Sequence, residues 1–266
     1  MKKFFALYRL EIGRAFAFRS EMFLWILLDL FPTVVVASVW IAMFRGHDTI
    51  GGFTLSQMMG YYLALQVILN ISETHFEERW SEYIRYGKVD QYFVKPLSIP
   101  RTILIEVLAR KSIAFLTFVI PFIILIFILH SVGLFLLPNL GLSAFLFFIA
   151  FLVLAFTLNF CLSFGVILGT FWIDEANSFG HFKWLASGVF GGSLAPLVLY
   201  PQWIQNIAKY LPFQRTVATP ATILTTGNVS HAFPELLILG AYVLLFVIVA
   251  NIMWKQAIRK YTSAGG

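Results

Sequence analysis

The chain has 266 residues, of which 59% are hydrophobic and only 12% are charged, and its formal net charge is +6. An average soluble domain carries about 25% charged residues, so this chain has too little charge to cover the surface of a soluble globule. Together with a mean hydropathy of +0.83, this predicts an all-α polytopic membrane protein. It excludes a disordered chain, a coiled coil and a small secreted scaffold. The single Cys161 excludes a disulfide framework and a cysteine-based metal site.

The first predicted element is an N-terminal interfacial helix at residues 2–20. Phe4, Tyr8 and Ile12 recur on one face at helical spacing, and charged side chains lie opposite them. Charges recur too often in this stretch for a membrane span or for the apolar region of a signal peptide. The alternative is an irregular beginning of the first span.

Apolar runs then predict six transmembrane helices. A span needs about 20 apolar residues, so the uncharged stretch between Lys111 and Asp174 is long enough for two spans, divided at Pro138 and Asn139. Residues 201–233 are mixed in polarity and contain several prolines. The predicted spans are 22–44, 55–71, 112–136, 141–170, 184–200 and 236–254.

The basic residues predict the orientation of the spans. With six spans both termini lie on one side, and sixteen of the 19 basic residues fall on that side. Cytoplasmic loops carry an excess of Lys and Arg, so we expect both termini to be cytoplasmic. The positive charge therefore indicates contact with membrane lipid, and no motif or basic run predicts binding to nucleic acid.

Two alternative functions depend on single residues. Asp29 is the one acidic residue clearly inside a predicted span, and such a carboxylate is a functional candidate as an intramembrane acid. It could serve an ion-coupled secondary transporter or channel, or it could simply pair with a base or water near the end of the span. An intramembrane enzyme would need Ser193 and His181, but Gly191-Gly192-Ser193 lacks the second glycine of a nucleophile turn. The chain also has no P-loop.

The most informative stretch is residues 73–111, which hold 13 of the 32 charged residues. Phe76, Trp80 and Tyr83 recur at helical spacing, and Gly87 is placed to stop the helix. The pattern predicts a short helix along the membrane, with charges of both signs turned towards a soluble protein partner. The alternative is an ordinary solvated helix in a loop.

The order of motifs in the chain resembles a known family. The run Ile84-Arg85-Tyr86-Gly87-Lys88-Val89, followed by Tyr92, Lys95-Pro96-Leu97-Ser98 and Pro100, is similar to the cytoplasmic loop of type-2 permease subunits of ABC transporters. The later series of Phe171-Trp172, Ser187-Gly188, Gly192, Pro196, Tyr200-Pro201, Trp203, Leu211-Pro212-Phe213, Pro220, Ile223 and Gly227 resembles their fifth span and external re-entrant region. The closest subgroup is that of the ABC-2-like permeases of bacterial exporters.

The resemblance implies a role for each segment. Residues 74–87 would be a cytoplasmic coupling helix docked to a separate ABC ATPase subunit, and residues 201–220 would re-enter the membrane from outside. ATP and Mg would be bound by that ATPase, while this chain would bind no cofactor or metal and carry no catalytic residue. The implied coupling residues are Glu77, Glu78, Arg79, Trp80, Glu82, Arg85 and Gly87.

The resemblance also implies a dimer in the bacterial cytoplasmic (inner) membrane. Two copies, or this chain and a related sibling permease, would enclose the substrate pathway between them. The second and fifth spans would line it. The residues assigned to that lining are Tyr61, Tyr62, Gln66, Asn70, Ser187, Phe190 and Leu194.

Overall fold

The computed structural model describes residues 2–17, 19–93, 98–136, 140–173 and 177–260. Within these residues the chain is helical and has no β-strand, which confirms the all-α prediction for this part. Residues 95–97, Pro138 and Asn139, which the sequence predictions used, lie outside the described residues. The helices are α1 (Lys2–Ala17), α2 (Arg19–Met43), α3 (Leu55–Ser72), α4 (Glu77–Arg85), α5 (Asp90–Phe93), α6 (Ile99–Ser131), α7 (Leu142–Gly169), α8 (Asn177–Gly191), α9 (Gln202–Tyr210), α10 (Phe213–Thr216), α11 (Ala218–Thr226) and α12 (Ala232–Lys260).

Three helices of the described part, α6, α7 and α12, are long and apolar enough to cross a membrane. They contain 33, 28 and 29 residues. At about 1.5 Å per residue, each is longer than the ~30 Å hydrocarbon core of a bilayer. Large apolar side chains such as Leu116, Phe127 and Leu244 remain exposed on their outer faces. Such faces suit contact with lipid, so the structure supports a membrane protein.

Helix α6 begins well before the span predicted at 112–136. Ser98 is its N-cap residue in extended conformation, and Pro100 follows in the first turn, where a missing N–H group costs nothing. No further proline occurs until Pro121, so the charged residues after Pro100 continue the same helix. The charged residues before position 112 had indicated a loop. In the structure they belong to the first turns of α6, which extends beyond its apolar part.

Helix α3 lies at the centre of the bundle, between α2, α6, α7 and α11. It starts with a capping box in which Gln57 N donates to Thr54 Oγ1 at 3.3 Å and Thr54 N donates to Gln57 Oε1 at 3.0 Å. Met58, Tyr61 and Ile68 are almost completely buried, and they form the middle of the largest apolar core.

Helix α8 differs most from the span predicted at 184–200. It ends at Gly191 because Gly192 takes a left-handed conformation with φ of 82°, which only glycine adopts without cost. A 3-10 turn at Leu197–Leu199 follows Pro196. The 15 residues of α8 span about 22 Å at ~1.5 Å per residue, which is less than the ~30 Å hydrocarbon core.

The segment after α8 folds back as three short helices. Pro201 precedes α9, Pro212 precedes α10, and Gly227 ends α11 in a left-handed conformation. Helix α11 packs on α3 and α7, while α10 packs on α8. These helices are built into the bundle, and α12 then returns along α7.

Candidate functional site

Helix α4 is the short amphipathic helix that the sequence predicts at 74–87. It begins at Glu77, ends at Arg85, and is followed by Gly87 with φ of 67°. Its first turn carries Glu77 and Glu78 and its last turn carries Arg85, so the side-chain charges complement the helix dipole. The chain then reverses into α5.

Trp80 attaches α4 to the rest of the molecule. Its side chain is 0% exposed, and its Nε1 donates to Glu106 Oε2 at 3.2 Å. Its ring packs against Tyr83 and Tyr92, with centroid distances of 5.6 Å and 4.9 Å. Around it lies an apolar cluster built from α4, α6, α7 and α12. Burial of a whole indole fixes α4 on the bundle.

A buried ion pair joins α4 to α6. Arg79 donates to Glu106, which also accepts the hydrogen bond from Trp80, and Glu106 is almost completely buried. The Arg79 guanidinium also lies 6.0 Å from the centroid of the Tyr83 ring. Arg79 is therefore directed towards α6.

A second buried ion pair joins α4 to α8. Lys183 donates to Glu77 Oε1, and the side chains are only 13% and 10% exposed. Ser163 Oγ of α7 donates to the same oxygen at 2.6 Å and accepts from Lys183 Nζ at 2.7 Å. Lys183 also donates to the backbone oxygen of Thr74 at 3.2 Å. Three segments of the chain meet at this network.

The charge state of Glu77 follows from these contacts. Burial alone would raise the pKa of the carboxyl, but the Lys183 ammonium and the hydrogen bonds from Lys183 and Ser163 outweigh it. The net result holds the pKa of Glu77 below its ordinary value of 4.5. Glu77 is therefore an anion at neutral pH, as the paired ammonium requires.

The predicted coupling residues fall on two faces of α4. Glu77, Arg79 and Trp80 point into the molecule, and Gly87 follows the helix end. The outer face carries three exposed charged side chains, which are Glu78, Glu82 and Arg85. Sequence reasoning missed Lys183, Ser163 and Glu106, which hold the inner face. The one available signal was Lys183, an isolated charge beside a long apolar stretch.

The residues predicted to line a pathway bring α3 and the end of α8 together. Tyr61 Oη donates to the backbone oxygen of Gly192 at 2.8 Å, and Tyr62 Oη donates to that of Leu194 at 3.0 Å. Gln66 instead donates to Thr33 on α2. The backbone oxygen of Asn70 accepts from Lys111, and Asn70 Oδ1 is buried and has no hydrogen-bond partner among the residues that the structure describes.

The three predicted residues on the other side occupy different environments. Ser187 is buried, Phe190 is half-buried and Leu194 is 55% exposed. Residues 187 and 190 lie one turn apart on α8, whereas Leu194 lies beyond its end. Their assignment to a substrate pathway stays a prediction.

A cavity of about 430 Å³ lies beside Tyr61, between the turn after Pro196, helix α11 and the beginning of α12. Thr219 and Thr222 are among its polar lining groups, and Glu235 lies at its edge. Glu235 Oε2 is 2.7 Å from Arg215 Nε. The ion pair connects α10 to α12 at the end of the bundle opposite α4.

The two alternative functions, an intramembrane enzyme and an ion-coupled transporter or channel, depend on residues whose positions can now be compared with the structure. His181 lies in the first turns of α8 and Ser193 lies beyond its last residue, so the helix separates this potential base from the potential nucleophile. Asp29 is in α2, and its side chain lies outside the described part of the structure. Its role as an intramembrane acid stays a prediction.

Comparison with known proteins gives one match. Residues 30–265 match a family described as "ABC-2 family transporter protein". No curated protein and no solved structure matches the chain. The match begins in the middle of α2 and covers every later helix through α12.

Proposed function

We propose, because the chain belongs to the ABC-2 family of transporter proteins, that it is the permease subunit of an ATP-driven exporter. The family match confirms the resemblance drawn from the sequence. Members are membrane transport subunits that are not themselves enzymes, and the family normally works with ABC ATPase partners. The observation that carries the proposal is this match together with helix α4, a charged amphipathic helix fixed to the bundle.

The proposed topology has six spans and cytoplasmic termini. Helices α6, α7 and α12 are three helices of sufficient length and apolarity. Helices α2 and α3 would be two further spans in the proposal. Helix α8, continued by the segment after Gly192, would be the fifth span in chain order. The distribution of basic residues supports a cytoplasmic α4 and an external position for α9 to α11 in a bacterial inner membrane. Residues 201–220 would be the re-entrant region.

Helix α4 is proposed to dock on the ATPase through its outer face. Glu78, Glu82 and Arg85 are exposed there, with charges of both signs that can select a complementary protein surface. The inner face holds α4 in place through Trp80 and two ion pairs. A helix anchored on one side and charged on the other can pass a displacement to the bundle instead of absorbing it.

The transport cycle would follow from two packings of the bundle. We propose that this permease pairs with a second copy or a sibling permease and that two ATPase subunits bind below. ATP and Mg bound by those subunits would draw the α4 helices of the two protomers together. The ATPase would then favour one of two arrangements of the bundle, open to one side or to the other.

Docking can be tested with charge reversals on α4. The permease would be co-expressed with its proposed ABC ATPase partner and purified in lipid nanodiscs, with complex formation measured by size-exclusion chromatography. We expect a complex for the natural chain and a loss of co-elution for the double variant Glu78→Lys/Glu82→Lys. Asp48→Lys is the matched control, because Asp48 is an equally exposed acid in the loop between α2 and α3.

Two results would contradict the proposal. One is the absence of any complex with the natural chain. The other is equal co-elution of the Glu78→Lys/Glu82→Lys variant and the natural chain, which would remove α4 as the docking helix.

A further inference from the structure

We propose that the ion pair between Glu77 and Lys183 is the link that carries a displacement of α4 to α8. The inference rests on the proposed function, because it assumes that an ATPase moves α4. Glu77 and Lys183 are positioning residues in this proposal, since neither would touch substrate. In this cycle α8 is the helix that moves at the predicted substrate pathway.

The first support is the geometry of the network. Glu77 at the start of α4, Ser163 on α7 and Lys183 on α8 are joined by hydrogen bonds that each lead to the next residue. Thr74, just before α4, adds its backbone oxygen to Lys183 and its hydroxyl to the backbone oxygen of Asn159, the latter at 3.1 Å. Directional bonds of this kind fix α4 and α8 relative to each other, whereas apolar side chains alone could slide.

The second support is burial. The two charged side chains are only 13% and 10% exposed, so neither can exchange its partner for water at low cost. A displacement of α4 therefore either pulls Lys183 with Glu77 or leaves an unpaired charge behind. Because the second outcome is expensive, the two helices move together.

The third support is the surroundings of α8. Several of its large apolar side chains, such as Phe179, Phe182 and Leu185, are more than half exposed, so this side of α8 is only loosely covered by the described part of the protomer. The helices that α8 packs on most are α4, α7, α9 and α10. At its far end, Gly192 and Leu194 accept the hydroxyl hydrogen bonds of Tyr61 and Tyr62. A displacement of α8 at Lys183 would therefore reach the hydrogen bonds between α3 and the residues that follow α8.

The test measures the position of α8 in the assembled permease–ATPase complex in nanodiscs. Spin labels would be placed on cysteines introduced at Phe179 on α8 and at Lys255 on α12, both exposed positions, after Cys161→Ser. The distance between the labels would be recorded without nucleotide and with ATP and vanadate. We expect a nucleotide-dependent shift in the natural pair, loss of that shift in Lys183→Met, and its retention in Lys183→Arg.

We also expect the nucleotide-dependent shift in the double variant Glu77→Lys/Lys183→Glu, because the inverted pair keeps an ion pair at the same place. Size-exclusion chromatography of each variant reports whether the complex still forms, so loss of folding or docking is recognised separately. If the natural chain forms no complex, the proposed function fails. If the complex forms but α8 does not shift with nucleotide, or shifts equally in Lys183→Met, the link between Glu77 and Lys183 is overturned.

Discussion

Helix α8 is held by different kinds of contact in its first half and at its C-terminus. In the first half, which we call the α4 end, Lys183 is paired with the buried carboxylate of Glu77 and shares Ser163 with it. At the other end, the backbone oxygens of Gly192 and Leu194 accept hydrogen bonds from two neutral tyrosine hydroxyls. One end is therefore fixed by charge and the other by neutral groups.

This difference separates a fixed contact from an exchangeable one. Breaking a buried ion pair by removing one partner costs about 3–5 kcal/mol, because a charge is left without compensation. A neutral hydrogen bond contributes about 0.5–1.5 kcal/mol, and breaking it leaves no uncompensated charge. In the proposed cycle the α4 end of α8 follows the ATPase, while the Gly192 end can rearrange against α3.

The largest effect on stability is expected from Trp80→Ala, which removes the side chain that fixes α4 itself. Trp80 is completely buried, and loss of an aromatic side chain from a core costs about 3–5 kcal/mol. We expect its midpoint of thermal unfolding in detergent to be lower than those of Glu77→Gln, Gly192→Ala and the tyrosine variants. Trp203→Ala is the matched control, because Trp203 is 62% exposed on α9. Equal midpoints for the two variants would remove Trp80 as the anchor.

The next effect concerns the charged end of α8. Glu77→Gln leaves Lys183 without a carboxylate, and we expect a loss of about 3 kcal/mol, at the low end of the range because the amide oxygen still accepts hydrogen bonds. The pKa of Glu77 is depressed in the folded chain, so its contribution is fully present above the ordinary value of 4.5 and is lost as the pH falls through the lower folded value.

The measurement for Glu77→Gln is the difference in unfolding midpoint between the natural chain and the variant across a pH series. We expect a constant difference near neutral pH and a smaller one in acid, where the natural carboxyl is itself protonated. A difference that grows on acidification would contradict the sign of the pKa change. Exposed Glu82→Gln is the control and should show little difference at any pH.

The sequence predicts the parts of this fold that depend on neighbouring residues. The unbroken apolar run of α7 and the amphipathic period that ends at Gly87 are local patterns, so both helices can be recognised without a structure. The inward position of Glu77 cannot be, because its partner Lys183 is 106 residues away. Periodicity places Glu77 beside Trp80 on the helix, but only the fold supplies the ammonium that allows a carboxylate to be buried.

The beginnings and ends of helices are also only partly predictable from the sequence. Charges at Arg101, Arg110 and Lys111 suggested a loop, yet all three are compatible with a helix that extends beyond the apolar region. The break of α8 at Gly192 was missed because the apolar composition continues past it towards Tyr200. In the fold the backbone oxygen of Gly192 accepts a hydrogen bond from Tyr61, a contact between distant parts of the chain that local composition does not reveal.

A smaller effect is expected at the neutral end of α8 from Gly192→Ala. Gly192 has φ of 82°, and a Cβ atom would lie 2.9 Å from Tyr61 Oη. The left-handed backbone alone costs a residue with a Cβ about 1–2 kcal/mol, and the Tyr61 hydrogen bond would be displaced in addition. We expect a lower unfolding midpoint than for Gly13→Ala, the control in α1, where a Cβ would meet nothing within 4 Å in the described part of the chain. Equal midpoints would show that the turn tolerates a Cβ.

The smallest effect is expected from Tyr61→Phe and Tyr62→Phe, which each remove one neutral hydrogen bond from the junction of α3 and α8. Each change should lower stability by about 1 kcal/mol, and Tyr61→Phe should cost more because its acceptor oxygen on Gly192 is in a buried residue whereas that of Leu194 is in an exposed one. Unfolding midpoints of the two single variants and the double variant would measure both effects. If the double variant costs as much as Glu77→Gln, the two ends of α8 are held equally firmly, and the distinction between a charged, fixed end and a neutral, exchangeable end is wrong.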